Sequence, residues 1–142
     1  MAAVPYDPKK CKISWGIPLD SGIADGTFIK ASRDSASTTK QVGSDGSVVF
    51  SRSHDKSGKA ELTIQRASAV NAYLSAQLKA WEAGEGGMFP FFVADLNGAS
   101  LVMAPNAVLE KPADFERGKE HSNVTWTFLL DDVEIVEAGM EA

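Results

Sequence analysis

The sequence predicts a mainly β fold (α+β), an antiparallel β-sandwich or barrel with one flanking α-helix. Three observations predict it. Several segments alternate apolar and polar residues with period two, Ser-Gly and Asp-Gly pairs punctuate them, and a single stretch repeats its apolar residues at helical spacing. The 142 residues are one domain's worth of chain. A domain of that size buries about 68% of its unfolded surface, so it needs no disulfide or structural metal to fold.

In the first segment Cys11, Ile13, Trp15 and Ile17 point one way, and Lys10, Lys12 and Ser14 the other. Over 58–66, Ala60, Leu62 and Ile64 share a face opposite Lys59, Glu61, Thr63 and Gln65. Val124, Trp126, Phe128 and Leu130 form a third apolar face. Residues 27–33 and 47–52 read as further strands, and 88–94 and 100–103 as short buried ones. Asp95-Leu96-Asn97-Gly98 joins the last two as a hairpin turn. Ser21-Gly22, Asp25-Gly26, Asp45-Gly46 and Ser57-Gly58 mark other turns with residues that tolerate positive φ. Residues 25–66 therefore read as hairpin-linked antiparallel strands with polar faces. Val70, Tyr73, Leu74, Leu78 and Trp81 lie on one helical stripe, giving a helix over 68–83 with Ser68 as N-cap and Gly84, Gly86 and Gly87 ending it. The helix is expected to close the core over the sheet. Residues 104–120, with two prolines, read as an irregular connection.

Composition and charge exclude several classes. With 44% hydrophobic and 23% charged residues the chain is neither disordered nor low-complexity. No apolar run approaches the 18 or so residues of a membrane span, and the first residues lack the apolar centre of a signal peptide. One cysteine forms no internal disulfide, which fits synthesis in a reducing cytoplasm. The net charge is −5, and residues 67–142 carry 12 acids against 4 bases. No basic face for gripping a duplex is expected, only loose contact with nucleic acid.

Motifs for chemistry are sparse. His54, His121 and Cys11 lack metal-ligand spacing, so the histidines read as solvated and Cys11 as a small buried hydrophobe. Gly43-Ser44-Asp45-Gly46 lacks the lysine and helix of a phosphate loop and reads as a turn. Glu82 with Glu85 reads as solvated charge, and Asp131-Asp132 is too small a set for calcium. Trp15, Trp81 and Trp126 read as core residues. No cofactor, no metal site and no enzyme activity is expected. A β-rich domain without a visible active site has sheet edges that other chains can pair with, so it reads as a self-assembly module.

The order of certain segments carries a resemblance. Tyr6-Asp7-Pro8-Lys9-Lys10 is followed by Gly22-Ile23-Ala24-Asp25-Gly26-Thr27-Phe28-Ile29, by Val42-Gly43-Ser44-Asp45-Gly46 and by Asp55-Lys56-Ser57-Gly58. Thr63, the Asn71-Ala72-Tyr73-Leu74-Ser75 run, Asp95-Leu96-Asn97-Gly98 and residues 119–128 continue the series. The chain thus resembles the tail tube proteins of contractile-tailed bacteriophages, over nearly its whole length. Each segment is a turn or cap, and the likeness rests on their order and spacing. His54 departs from it, standing where a small polar residue such as Asn fits the pattern.

The resemblance implies a single tail-tube domain over 1–142, with an amino-terminal arm at 1–10 and lumen-lining hairpins within 25–66. Six copies would form a ring, and stacked rings a hollow tube inside a contractile sheath. Viral double-stranded DNA would pass through without tight binding, and the protein would be synthesised in the host bacterial cytoplasm. Partners would be the chain itself, the sheath, tape measure and baseplate hub proteins, with no direct membrane anchoring and a place in the virion tail. Lys59, Glu61, Thr63 and Gln65 are the expected lumen-facing residues, in a polar bore of mixed or mildly negative sign. Expected ring-to-ring contacts are Lys9, Lys10 and Lys12, which would face the acidic carboxyl end of the next ring, and Ser35, Ser37, Thr38 and Thr39 in a loop over 34–42. The alternatives are a tube protein of a DNA-free contractile injection particle, of tailocin or secretion-system type, and a monomeric ligand-binding β-sandwich with exposed tryptophans.

Overall fold

A computed structural model describes residues 5–19, 21–24 and 26–139. The first four residues of the expected arm, Asp25 of the Asp25-Gly26 turn and the last three residues of the acidic end lie outside the described residues. In chain order the strands are β1 (Cys11–Trp15), β2 (Ile17–Pro18), β3 (Ile29–Arg33), β4 (Thr38–Val42), β5 (Val48–Arg52) and β6 (Gly58–Gln65). Helix α1 (Val70–Glu82) follows, then β7 (Phe89–Asp95), β8 (Leu101–Leu109), β9 (Asn123–Leu130) and β10 (Glu134–Val136). All pairings are antiparallel. The main sheet runs β2-β1-β7-β8-β9-β6-β3, with β10 also on β8, while β4 and β5 pair only with each other.

Strand β8 is the pivot. One of its edges pairs with β7 from Leu101 to Ala107, while the other pairs with β10 in its first half and with β9 in its second. Between these halves Pro105 and Asn106 stand opposite Pro90 alone, a two-against-one bulge. Neither proline has an N–H to contribute, so the bulge costs the ladder few donors. This corrects the expected irregular connection over 104–120: Pro105 bends the strand without ending it, and β8 continues to Leu109. The sheet curls so that its two halves meet inside. Trp15 donates its Nε1–H to Ala107 O at 3.0 Å, and its ring meets Phe128 edge-on at 5.2 Å.

Strands with one face on the core follow the alternation. Cys11, Ile13 and Trp15 are buried, as are Ala60, Leu62 and Ile64, and Val124, Trp126, Phe128 and Leu130. The first face stops at Trp15. Gly16 adopts φ +79°, β2 folds back on β1, and Ile17 is exposed, contrary to expectation. A Cβ at Gly16 would also collide with the Tyr73 hydroxyl, which donates to Trp15 O. The expected buried strand over 88–94 is half-buried, since Phe91 and Val93 face inward and Phe92 outward. Asp45-Gly46 turns as expected, with Gly46 at φ +88°. Gly58 instead lies inside a strand at negative φ, where Ser32 O leaves no room for a Cβ.

In α1, Val70, Leu74 and Leu78 are buried. Ser68 sits one residue before the capping position, where its Oγ accepts from Val70 N and donates to Ser21 O. Gly84 at φ +75° ends the helix, with Gly84 N bonding Trp81 O and Glu85 N bonding Ala80 O, a Schellman pattern. Trp81, expected in the core, is instead 41% exposed. Asn71 fastens the helix to its surroundings. Its Nδ2 lies 3.0–3.1 Å from the carbonyls of Gln65, Arg66 and Ser68, and its Oδ1 accepts from Trp126 Nε1 at 2.9 Å. Asn71→Ala removes these bonds, takes the acceptor from the Trp126 indole N–H, and is expected to cost about 1–3 kcal/mol. A urea titration checks this, and an unchanged midpoint would refute it.

Candidate assembly surfaces

The stretch 29–65 is a nested hairpin. β3 pairs with β6, and between them the chain runs out along β4 and returns along β5 as a separate two-stranded arm. Every residue of both arm strands is exposed. The tip is a tight turn, in which Gly46 N bonds Gly43 O and Asp45 Oδ1 accepts from Ser47 N and Oγ. Thr38, Lys40 and Val42 pair with Arg52, Phe50 and Val48, so these six side chains share one face. Phe50 is 70% exposed and Val42 64%. None of the described residues covers them.

The joint at the root of the arm is built from polar contacts. Arg33 donates from Nε and Nη2 to Val133 O at 2.9 and 2.8 Å, and from Nη1 to Ser37 Oγ. Ser53 N bonds Ser37 O, and Asp34 N bonds Ser57 O. Asp55 accepts from Ser57 Oγ at 2.6 Å, Ser35 Oγ at 2.7 Å and Ser57 N at 3.0 Å. Those bonds, the Ser57 hydroxyl first, lower the Asp55 pKa to about 2. A carboxyl depressed in the folded state stabilises above its unfolded value of 3.8 and loses that contribution as pH falls toward 2. Protection of the Ser57 amide from exchange, relative to the intrinsic rate, should therefore fall between about pH 4 and about pH 2. Asp55→Asn should flatten that profile, and equal protection at both ends in the unsubstituted chain would contradict the assignment.

Strand β3 is an open edge of the main sheet. Thr63 N bonds Phe28 O and Asp34 N bonds Ser57 O. Bonded pairs alternate along an antiparallel ladder, so Lys30–Glu61 and Ser32–Lys59 are bonded too. The N–H and C=O groups of Ile29, Ala31 and Arg33 consequently turn to the open side.

The outward face of β3, β6 and β9 is polar. Lys59, Glu61, Thr63 and Gln65 share it, as their alternation indicates, opposite the buried Ala60, Leu62 and Ile64. Their cross-strand neighbours are Ser32 and Lys30 on one side and Leu129, Thr127, Thr125 and Asn123 on the other. Thr63 Oγ1 and Thr125 Oγ1 lie 3.1 Å apart in a hydrogen bond. Lys30 faces Glu61 directly, so both charge signs meet on this surface.

The other expected site residues are dispersed. Lys9 and Lys10 are exposed in a short 3-10 helix (Pro8–Lys10) capped by Asp7, and Lys12 is exposed on β1. Ser35 and Ser37 belong to the joint, bound to Asp55 and Arg33. Thr38 and Thr39 stand on opposite faces of β4, so the expected loop over 34–42 is half strand. Sequence reasoning missed the apolar arm face and the role of Arg33. Val48-Val49-Phe50 is an apolar run of the kind that normally marks burial, and nothing local announces that the strand has no sheet to lie on.

Catalytic features do not gather anywhere. Among the described residues no polar or charged side chain is buried, and no three His, Cys, Asp or Glu residues group as metal ligands. The shifted carboxyls, Asp45, Asp55 and Asp131, are exposed and lowered chiefly by hydroxyl or amide neighbours. Among the described residues no helix is long and apolar enough to cross a membrane.

A family model described as Bacteriophage PhiTE tail tube protein matches residues 14–137, most of this chain. The chain belongs to that tail tube family. The family is structural, and its members are components of the phage tail. No curated relative matches in sequence. Among solved structures, the tail tube chain is similar to the anti-feeding prophage cap, the AFP tube terminating cap. The TM-score is 0.64 at 14% identity, covering 97% of this chain and 95% of that one. It is also similar to the PVC sheath/tube terminator of an extracellular contractile injection system in its extended state. There the TM-score is 0.60 at 12% identity, over 96% of this chain and all of the other. At such identities the likeness establishes a shared fold, the β-rich architecture expected from the sequence.

Proposed function

We propose that six copies of this tail tube protein close into a ring, and that rings stack into the hollow inner tube of a contractile tail. The observation that carries the reading is the open β3 edge beside a polar sheet face. An exposed edge is a liability in a monomer and a joint in a ring, where each copy pairs with the next and the last with the first. The β6 face then lines the lumen through Lys59, Glu61, Thr63 and Gln65. Lys30, Glu61 and Lys59 mix signs among threonines, so a duplex finds no continuous basic track to hold it. DNA passes through this bore after the sheath contracts. The work of the protein is mechanical: stiffness within the ring and alignment between rings.

Stacking would use Lys9, Lys10 and Lys12 against the acidic end of a neighbouring ring, and the arm with Ser35, Ser37, Thr38 and Thr39 at its base. Sheath, tape measure and hub proteins are the remaining partners, and the host cytoplasm is the place of synthesis. Negative-stain microscopy of the purified protein tests this reading. Hollow rings or tubes are expected, and dispersed monomers at high concentration would refute it.

A further inference from the structure

We propose that the apolar face of the arm docks onto the outer face of β7, β8 and β10 of a second copy in the adjoining ring. The proposal rests on the tube reading and adds the address of the contact. Among the described residues, two apolar faces built by paired strands are uncovered. One is the arm face of Val42, Val48 and Phe50. The other lies on the outside of the main sheet. Phe92 pairs with Met103 and Met103 with Glu134, while Ala94 pairs with Leu101 and Leu101 with Val136. Register therefore puts these six side chains on one face. Phe92, Met103 and Val136 remain 39%, 41% and 40% exposed there. Contiguous exposed apolar patches mark interaction sites.

Charge complementarity names the occupant. The arm face carries Lys40 and Arg52 in register with Phe50 and Thr38, and no acid. The sheet patch carries Glu134 within it and Glu137 just beyond β10. Both carboxylates lie at the β10 side, so the arm's cations belong there. Docking thus joins apolar to apolar and cation to carboxylate. Each copy owns one arm and one patch, and the two do not cover each other within a chain. The contact is heterologous and leaves one free surface at each end of a growing stack, as an open polymer requires. A different protein on the patch would leave the arm unmatched.

The test is cross-linking in assembled protein. The double variant Phe50→Cys with Met103→Cys, or with Val136→Cys, is oxidised and run without reductant. Phe50→Cys with Thr125→Cys, on the polar face, serves as control, and the unsubstituted chain, whose Cys11 is buried, sets the baseline. The expected result is a ladder of multimers from the patch pairs alone. Lys40→Glu with Arg52→Glu should leave rings but no tubes, and adding Glu134→Lys should restore some stacking. Tubes that give no ladder with either patch cysteine, or an equal ladder with the control, overturn the docking site and leave the tube reading intact. An unsubstituted chain that forms neither rings nor tubes overturns the tube reading, and the docking with it.

Discussion

Replacing Ala31 by proline is expected to abolish ring formation while the subunit stays folded. The N–H of Ala31 points away from β6, so proline removes a donor that the single chain does not use. Edge strands tolerate proline where the N–H faces outward. In a ring, that same N–H would meet the neighbouring copy, and both the lost bond and the bulk of the pyrrolidine would fall in the joint. Lys30→Pro is the matched control. Its N–H is committed to Glu61, so the substitution should damage the subunit itself. Circular dichroism with sedimentation velocity separates the two outcomes. Ala31→Pro should give a folded monomer, and normal rings from it would remove β3 from the interface.

Trp15→Ala is expected to have the largest effect on the subunit. Trp15 is fully buried, and Tyr73, Phe89 and Phe128 meet its ring edge-on at 6.1, 5.2 and 5.2 Å. Its Nε1–H also satisfies Ala107 O where β8 changes partners. Removing it opens a cavity at the meeting point of the two half-sheets and takes the indole bond from that carbonyl. Large-to-small changes of this kind cost about 3–5 kcal/mol. That is a large share of the roughly 5–15 kcal/mol that holds a domain together. A urea midpoint near that of the native chain would show that the two halves do not depend on Trp15.

The strands that could be read from the sequence share one physical trait: one face lies on the core and the other meets water. β6 and β9 are of this kind, and their alternation located both the buried residues and the polar face opposite. Legibility failed where packing is not local. Ile17 continues the β1 pattern, but Gly16 reverses the chain before it can use it. Pro105 reads as a stop, but Pro90 across the bulge makes it a bend. Trp81 fits the helical stripe, yet it stays exposed at the last turn of the helix. The arm is the sharpest case. Val42, Val48 and Phe50 look like core residues because burial is the usual fate of such a run. Here they stay exposed among the described residues, and a single sequence carries no direct sign of that. The polar contacts of the joint were also invisible, because Arg33 reaches Val133 from the far end of the chain.

A cryo-electron microscopy map of the assembled protein tests the central claim most directly. It should show a six-fold ring in which the backbone of Ile29, Ala31 and Arg33 bonds a strand of the next copy and Lys59, Glu61, Thr63 and Gln65 look into an open channel. A map in which β3 borders solvent, or in which that polar face lies on the outside of the particle, would contradict it.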